Sequence, residues 1–203
     1  MASPKEVSVL TCFDVANYFI WLAKTVSGSV THLKLQKLVY YAQGFHLALY
    51  DKPLFASEIK AWEYGPVTFF LWQKFNYYGS SPITAPDNFD ISIYSKCQIA
   101  LLDEVYSKFA DLDPFLLVEM THKEPTWIDA YPQKVITQEA MQRYFKVRIS
   151  SDNPFKAYLL PPSDQIFEQQ LDVKSDVRKS EAFQAYLASK KERSEVYRRL
   201  ARS

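Results

Sequence analysis

Three histidines, two cysteines and four glycines are the residues from which a metal site, a nucleophilic site or a phosphate-binding loop would have to be built in this chain. His32 and His46 lie 14 residues apart. On one helix that separates them by about 21 Å, too far to share a metal ion. Cys12 and Cys97 stand alone, with no cysteine pair at zinc-ligand spacing. Gly28, Gly44, Gly65 and Gly79 are separated by 16, 21 and 14 residues. A Rossmann fingerprint, a Walker A loop and a nucleophile elbow all need closely spaced glycines, so each is excluded. The one dense polar cluster is Thr121-His122-Lys123-Glu124, close to Trp127. Read as chemistry, His122 would be a general base held by a carboxylate. Read as structure, it is a helix C-terminus where His122 and Lys123 meet the negative end of the dipole, and that reading is preferred. His46, between Phe45 and Leu47, reads as a histidine at the edge of the core. Asp111 and Asp113 could pair as carboxylates, but Asp113 is better explained as a helix cap. No catalytic residue, no metal ligand and no cofactor is therefore expected.

Signals for binding are richer. The chain carries 4 Trp, 14 Tyr and 14 Phe against 4 Gly, where average usage would give roughly 14 glycines. Trp62-Glu63-Tyr64-Gly65-Pro66 sets two large rings against a turn. Tyr40-Tyr41 and Tyr77-Tyr78 add phenols whose hydroxyls need polar company. A helical domain needs only one ring of each pair in its core, which leaves the others exposed or facing a partner; the equal alternative is that Tyr40, Tyr41, Tyr77 and Tyr78 all wrap a large core unaided. Trp62 is assigned to the core.

The elements that must position these residues are mostly helical. Thr11 opens the first, with Asp14 three residues on as in a capping box, and Val15, Phe19, Leu22 and Val26 repeat at helical spacing up to Gly28. Thr31 caps the second. Leu35, Leu38, Ala42, Phe45 and Leu49 step along it, with Lys34, Lys37 and Gln43 away from that stripe. Gly44 inside this helix costs about 1 kcal/mol relative to Ala, which implies that a backbone or a ring packs against it. Ile59, Ala61 and Trp62 form a short extended piece. Gly65-Pro66 turns the chain, and Pro66 suits the first position of a helix running to about Tyr78, with Val67, Phe70, Leu71 and Lys74 to Phe75 on its inner side. Residues 80–92 read as a loop. Further helices are expected from Ser95 to about Ala110, from Asp113-Pro114 to Pro125, and from Thr137 to Lys146 with Met141, Tyr144 and Phe145 inward.

The whole is a mostly α, compact multi-helix domain over residues 1–150, with a C-terminal helical extension. Residues 151–182, with Pro154, Pro161 and Pro162, read as a linker or weakly ordered segment. Residues 183–203 read as a charged amphipathic helix. Its apolar stripe is too thin to hold without a partner surface, and it has six basic side chains against two acidic between Leu187 and Ser203. Phe183, Tyr186, Leu187, Tyr197, Arg198 and Leu200 are its candidate contacts with a partner protein. Docking back on its own domain, or on a second copy, is the competing reading. The overall charge is balanced, 24 basic to 23 acidic, so global electrostatics nominate neither nucleic acid nor an acidic membrane. No apolar run approaches the about 18 residues of a membrane span. The N-terminus lacks a signal-peptide pattern, and two unpaired thiols suit a reducing compartment. A cytoplasmic protein is expected.

Residues 35–46, Leu-Gln-Lys-Leu-Val-Tyr-Tyr-Ala-Gln-Gly-Phe-His, resemble the "LQKLLYYAQGWH" segment of the Panacea domain of SocA-like antitoxins, long called phage-associated proteins. Lys52-Pro53-Leu54-Phe55 follows in family order. Ile59-Lys60-Ala61-Trp62-Glu63-Tyr64-Gly65-Pro66-Val67 is similar to the family's "IEAWKYGPV" block. Residues 121–127 look like its "TH-x-E-x-PW" element, with Thr126 inserted between Pro125 and Trp127. The resemblance covers about residues 10–145. It implies a mostly helical domain that forms the antitoxin half of toxin–antitoxin pairs, neutralising by direct protein contact, and it supplies no catalytic residue. Motif residues Lys34, Gln36, Lys37, Tyr40, Tyr41, Trp62, Tyr64, Gly65, Pro66, His122, Glu124 and Trp127 are then either framework or partner surface. The expected partner is a cognate toxin protein. Alternatives are an adaptor that hands a toxin to a ClpXP-type protease, a DNA-binding autoregulator using the basic run from Lys190 to Arg199, and a hydrolase using His122 and Glu124. Nucleic acid is the weaker expectation, because no helix-turn-helix signature accompanies that run.

Overall fold

A computed structural model describes residues 9–149. Among them are seven α-helices and one two-stranded antiparallel sheet. The helices are α1 (Cys12–Thr25), α2 (His32–Tyr50), α3 (Phe69–Phe75), α4 (Lys96–Phe109), α5 (Pro114–His122), α6 (Pro125–Ile128) and α7 (Gln138–Arg148); the strands are β1 (Ile59–Trp62) and β2 (Gly65–Thr68). The expected linker and C-terminal helix lie outside the described residues.

Local chemistry sets most helix starts. Thr11 and Asp14 form the reciprocal capping box of α1, and Ser95 with Gln98 forms that of α4. Thr31 accepts from the Lys34 backbone, Asp113 from Phe115 and Leu116, and Thr137 from Ala140. Proline occupies the first turn of α5 and α6. Pro125 therefore opens a new short helix, whereas α5 has already ended at His122.

Helix α2 is the axis of the domain. Everything from Leu35 to Leu47 on it is buried, because α1, α4, α5, α7 and the hairpin pack round it. Lys37 and Gln43, expected away from the apolar stripe, are interior. A helix wrapped on all sides cannot keep a polar face in water, so its polar residues must find partners inside. Gly44 is the point of closest approach to α7: a Cβ there would stand 2.2 Å from Cε2 of Phe145. The ring expected against this glycine is Phe145.

The segment after Pro66 departs from the sequence reading. Residues 65–68 are strand β2, paired with β1 in the register Ile59↔Thr68 to Trp62↔Gly65, and α3 starts only at Phe69. A proline at a first helical turn is a local preference. Here it yields to the ladder and to the clamp that Gln36 places on Thr68. Phe70, expected inward, is 53% exposed, while Leu71 and Phe75 are buried. Residues 134–136, further along the same chain, run along the other edge of β1. Ala61 N–H donates to the Lys134 carbonyl at 3.0 Å, and Ile136 N–H donates to the Ile59 carbonyl at 2.8 Å.

Candidate functional site

The polar residues of α2 act on backbone. The Gln36 side chain accepts from Thr68 N–H at 2.9 Å and donates to the Thr68 carbonyl at 3.3 Å, so it pairs with β2 as a neighbouring strand would. Two turns later Gln43 does the same to the loop after α2. It accepts from Leu54 N–H at 2.9 Å and Phe55 N–H at 3.2 Å, and donates to the Phe55 carbonyl at 3.0 Å. Lys34 donates to the Ala110 carbonyl at 2.5 Å. Lys37, 0% exposed, donates to the Pro66 carbonyl at 3.0 Å. Burial lowers its pKa to about 7, and the Glu124 carboxylate works against that shift.

Gly65 is required where it stands. Its φ is +88°, and a Cβ would come within 2.6 Å of Thr121 Oγ1 and 2.7 Å of Lys37 Nζ. The hairpin turn is thereby pressed onto α2 and α5. His32 and Gln36 share a 3.2 Å ring-nitrogen-to-amide contact. Burial, and then the Lys37 charge, hold His32 below its usual pKa.

Glu124 sits at the centre of the second cluster. Tyr40 O–H donates to one carboxylate oxygen at 2.5 Å and Tyr41 O–H to the other at 3.1 Å. Thr126, the inserted residue, is buried with its hydroxyl 2.7 Å from that of Tyr40. Burial raises the Glu124 pKa, opposed by these hydrogen bonds and by Arg148. Both tyrosines are buried. Of the two readings open for this pair, the core one holds: Tyr41 stacks on Phe109 at 4.1 Å, Tyr40 packs edge-on to Phe145, and one carboxylate takes both hydroxyls. The Tyr77-Tyr78 pair does divide, with Tyr77 74% exposed and Tyr78 half-buried.

His122 ends α5, with Lys123 as the C-cap. Its ring stacks on Trp127 at 4.0 Å, and Trp127 Nε1–H donates to the Trp62 carbonyl at 3.0 Å. Burial and the Lys37 charge lower the His122 pKa. The two carboxylate oxygens of Glu124 accept from Tyr40 and Tyr41, so the base-and-carboxylate arrangement considered for His122 and Glu124 is not what holds either residue. His46 is buried with Nδ1 2.7 Å from the Lys52 carbonyl, at the edge of the core as expected. Among the described residues no group of three or more His, Cys, Asp or Glu is placed to hold a metal ion. Within the same residues no helix is long and apolar enough to cross a membrane. The tail residues Phe183, Tyr186, Leu187, Tyr197, Arg198 and Leu200 lie outside the described residues.

Of the motif residues, Gln36, Lys37, Tyr40, Tyr41, Gly65, Pro66, Glu124 and Trp127 thus join α2, the hairpin and the 121–127 segment into one unit, and Lys34 ties α2 to the end of α4. Trp62 and Tyr64 reach its surface. Trp62 is half-buried rather than a core residue, and Tyr64 is 54% exposed. With Phe69, Phe70 and Trp72 they form an exposed aromatic face, in which the Trp62 and Trp72 rings lie 5.5 Å apart and Phe69 stacks on Trp72. Phe69 and Trp72 were not singled out in the sequence. Their signal is the run Phe69-Phe70-Leu71-Trp72: a two-turn helix cannot bury four consecutive large side chains on one face.

Residues 35–128 match the family model described as the antitoxin SocA-like, Panacea domain. No curated protein and no solved structure matches the chain.

Proposed function

We propose, from the match of residues 35–128 to the antitoxin SocA-like, Panacea domain, that this chain is the antitoxin of a toxin–antitoxin pair, neutralising a cognate toxin protein by direct contact. The match to the antitoxin domain carries this reading. The geometry supports it in a second way. The motif's polar side chains are spent on internal backbone and on one another, whereas large aromatic side chains are left outside on the hairpin and α3. Contiguous exposed apolar surface marks an interaction site, and tryptophan and tyrosine are enriched where binding energy concentrates.

Co-expression with the product of the adjacent gene tests the proposal. That gene alone should arrest growth, both genes together should restore it, and the two proteins should co-purify. Persistent arrest with no complex in pull-down overturns it. A protease adaptor would instead shorten the toxin's half-life in cells.

A further inference from the structure

The aromatic face contains a cleft of about 320 Å³ between the hairpin, α3 and the start of α2. Trp62, Tyr64 and Trp72 supply ring surface, and His32, Gln36 and Glu63 supply polar edges. The cleft lies at the low end of the about 300 to 1,000 Å³ that small-molecule and cofactor sites span, with room for one large side chain. Its chemistry selects which. Glu63 is its only formal charge; the residue is exposed, and no described cation pairs with it. His32 is held neutral by burial, and the Gln36 amide is already committed to Thr68. Lys37, which bonds the hairpin at Pro66, has its own charge suppressed by burial and opposes an incoming cation weakly. Ring faces carry negative potential, so two indoles with a carboxylate at the rim make an attractive seat for a cation, best for a planar guanidinium that also stacks.

We infer that this cleft is the anchor point of the toxin interface and that it takes an arginine side chain of the toxin, lying in the corner where the Trp62 and Trp72 rings meet edge-on and paired with Glu63. The exposed Tyr64, Phe69 and Phe70 rim would cover apolar neighbours of that arginine and keep water from the ion pair. The inference rests on the antitoxin reading for the identity of the partner; the chemistry of the cleft stands on its own residues.

The test has two arms on the full chain. In the first, Nα-acetyl-arginine amide is titrated while the four tryptophan indole N–H signals are followed by NMR. Trp62 and Trp72 should shift saturably, with Trp21, stacked on Phe89, as the internal control. Nα-acetyl-norleucine amide should leave all four in place, and Glu63→Gln should weaken the arginine response about tenfold. No shift of Trp62 and Trp72, or an equal response to norleucine, overturns the cation site. In the second arm, affinity for the adjacent gene's product is measured with Glu63→Lys and with Tyr77→Ala. The first should lose about 100-fold or more, and the second should match the parent. A parent chain that binds while Glu63→Lys binds equally well overturns the inference and leaves the antitoxin reading standing. A parent chain that does not bind at all overturns the antitoxin reading, and the arginine titration still decides the site.

Discussion

Lys37→Met separates the framework role of the motif from a chemical one. The amine is 0% exposed and its pKa falls to about 7, against 10.5 for an ordinary lysine. The unfolded chain therefore binds a proton that the folded chain has lost between those two values. The stability Lys37 contributes is present at high pH and is lost as pH falls through about 7. Linkage with these two values makes the parent gain about 1.5 kcal/mol between pH 7 and 8.5. Above that window Cys12, whose pKa is raised by burial, adds the opposite slope. The histidines His32, His46 and His122, all lowered, add slope of the same sign only nearer pH 6. Comparison with Lys37→Met cancels the Cys12 and His46 contributions; His32 and His122, whose shifts owe part to the Lys37 charge, leave a remainder only at the acid end of the range. The methionine variant forfeits the bond to the Pro66 carbonyl, about 1–3 kcal/mol, but no longer carries a desolvated amine. Its stability relative to the parent should be highest at pH 7 and fall by about 1.5 kcal/mol by pH 8.5. Urea denaturation midpoints across that range give the answer, with unchanged neutralisation of the toxin as the second readout. Parallel stability curves for parent and variant would refute the buried, deprotonating lysine. Loss of neutralisation in a folded Lys37→Met chain would refute its purely structural role.

Gly44→Ala pits helix propensity against space. Alanine gains about 1 kcal/mol in a helix interior, but its methyl would overlap the Phe145 ring, whose nearest atoms stand 2.2–2.6 Å from the new Cβ and which is itself fully buried. Overpacking of this kind costs about 1–3 kcal/mol, so the variant should melt below the parent in calorimetry; an equal or higher melting temperature would show that Phe145 is not seated on Gly44. Glu124→Ala leaves the Tyr41 hydroxyl without its acceptor and Tyr40 with Thr126 alone, for a loss of about 2–4 kcal/mol by chemical denaturation. Glu124→Gln keeps an acceptor and should recover much of that loss.

Where sequence and structure agree, the cause is local. Thr11, Thr31, Asp113 and Thr137 cap helices because a short oxygen next to free N–H groups needs nothing else. The ring against Gly44 was also legible, since a glycine is costly in the middle of a strong helix without such a reason. Disagreement appears wherever a distant partner decides. Pro66 reads as a helix start until β1 and Gln36 claim its neighbours for a strand. Lys37 and Gln43 read as an outer face because periodicity sorts by polarity, while their real partners, Pro66 and residues 54–55, are carbonyls and amides that no pattern reveals. Tyr40 and Tyr41 look like one ring too many until Glu124, more than eighty positions away, accepts from both. The candidate interface was half visible. The Trp62–Tyr64 turn stood out, but its joining with Phe69 and Trp72 depends on how sharply α3 leaves the hairpin.

The proposed neutralisation by direct contact is tested most plainly by titrating the purified full chain into an activity assay of the adjacent gene's purified product, with no other protein present. Direct blocking predicts that toxin activity falls in proportion to added chain and is abolished near equivalence. Undiminished toxin activity at a large molar excess of folded chain would contradict it.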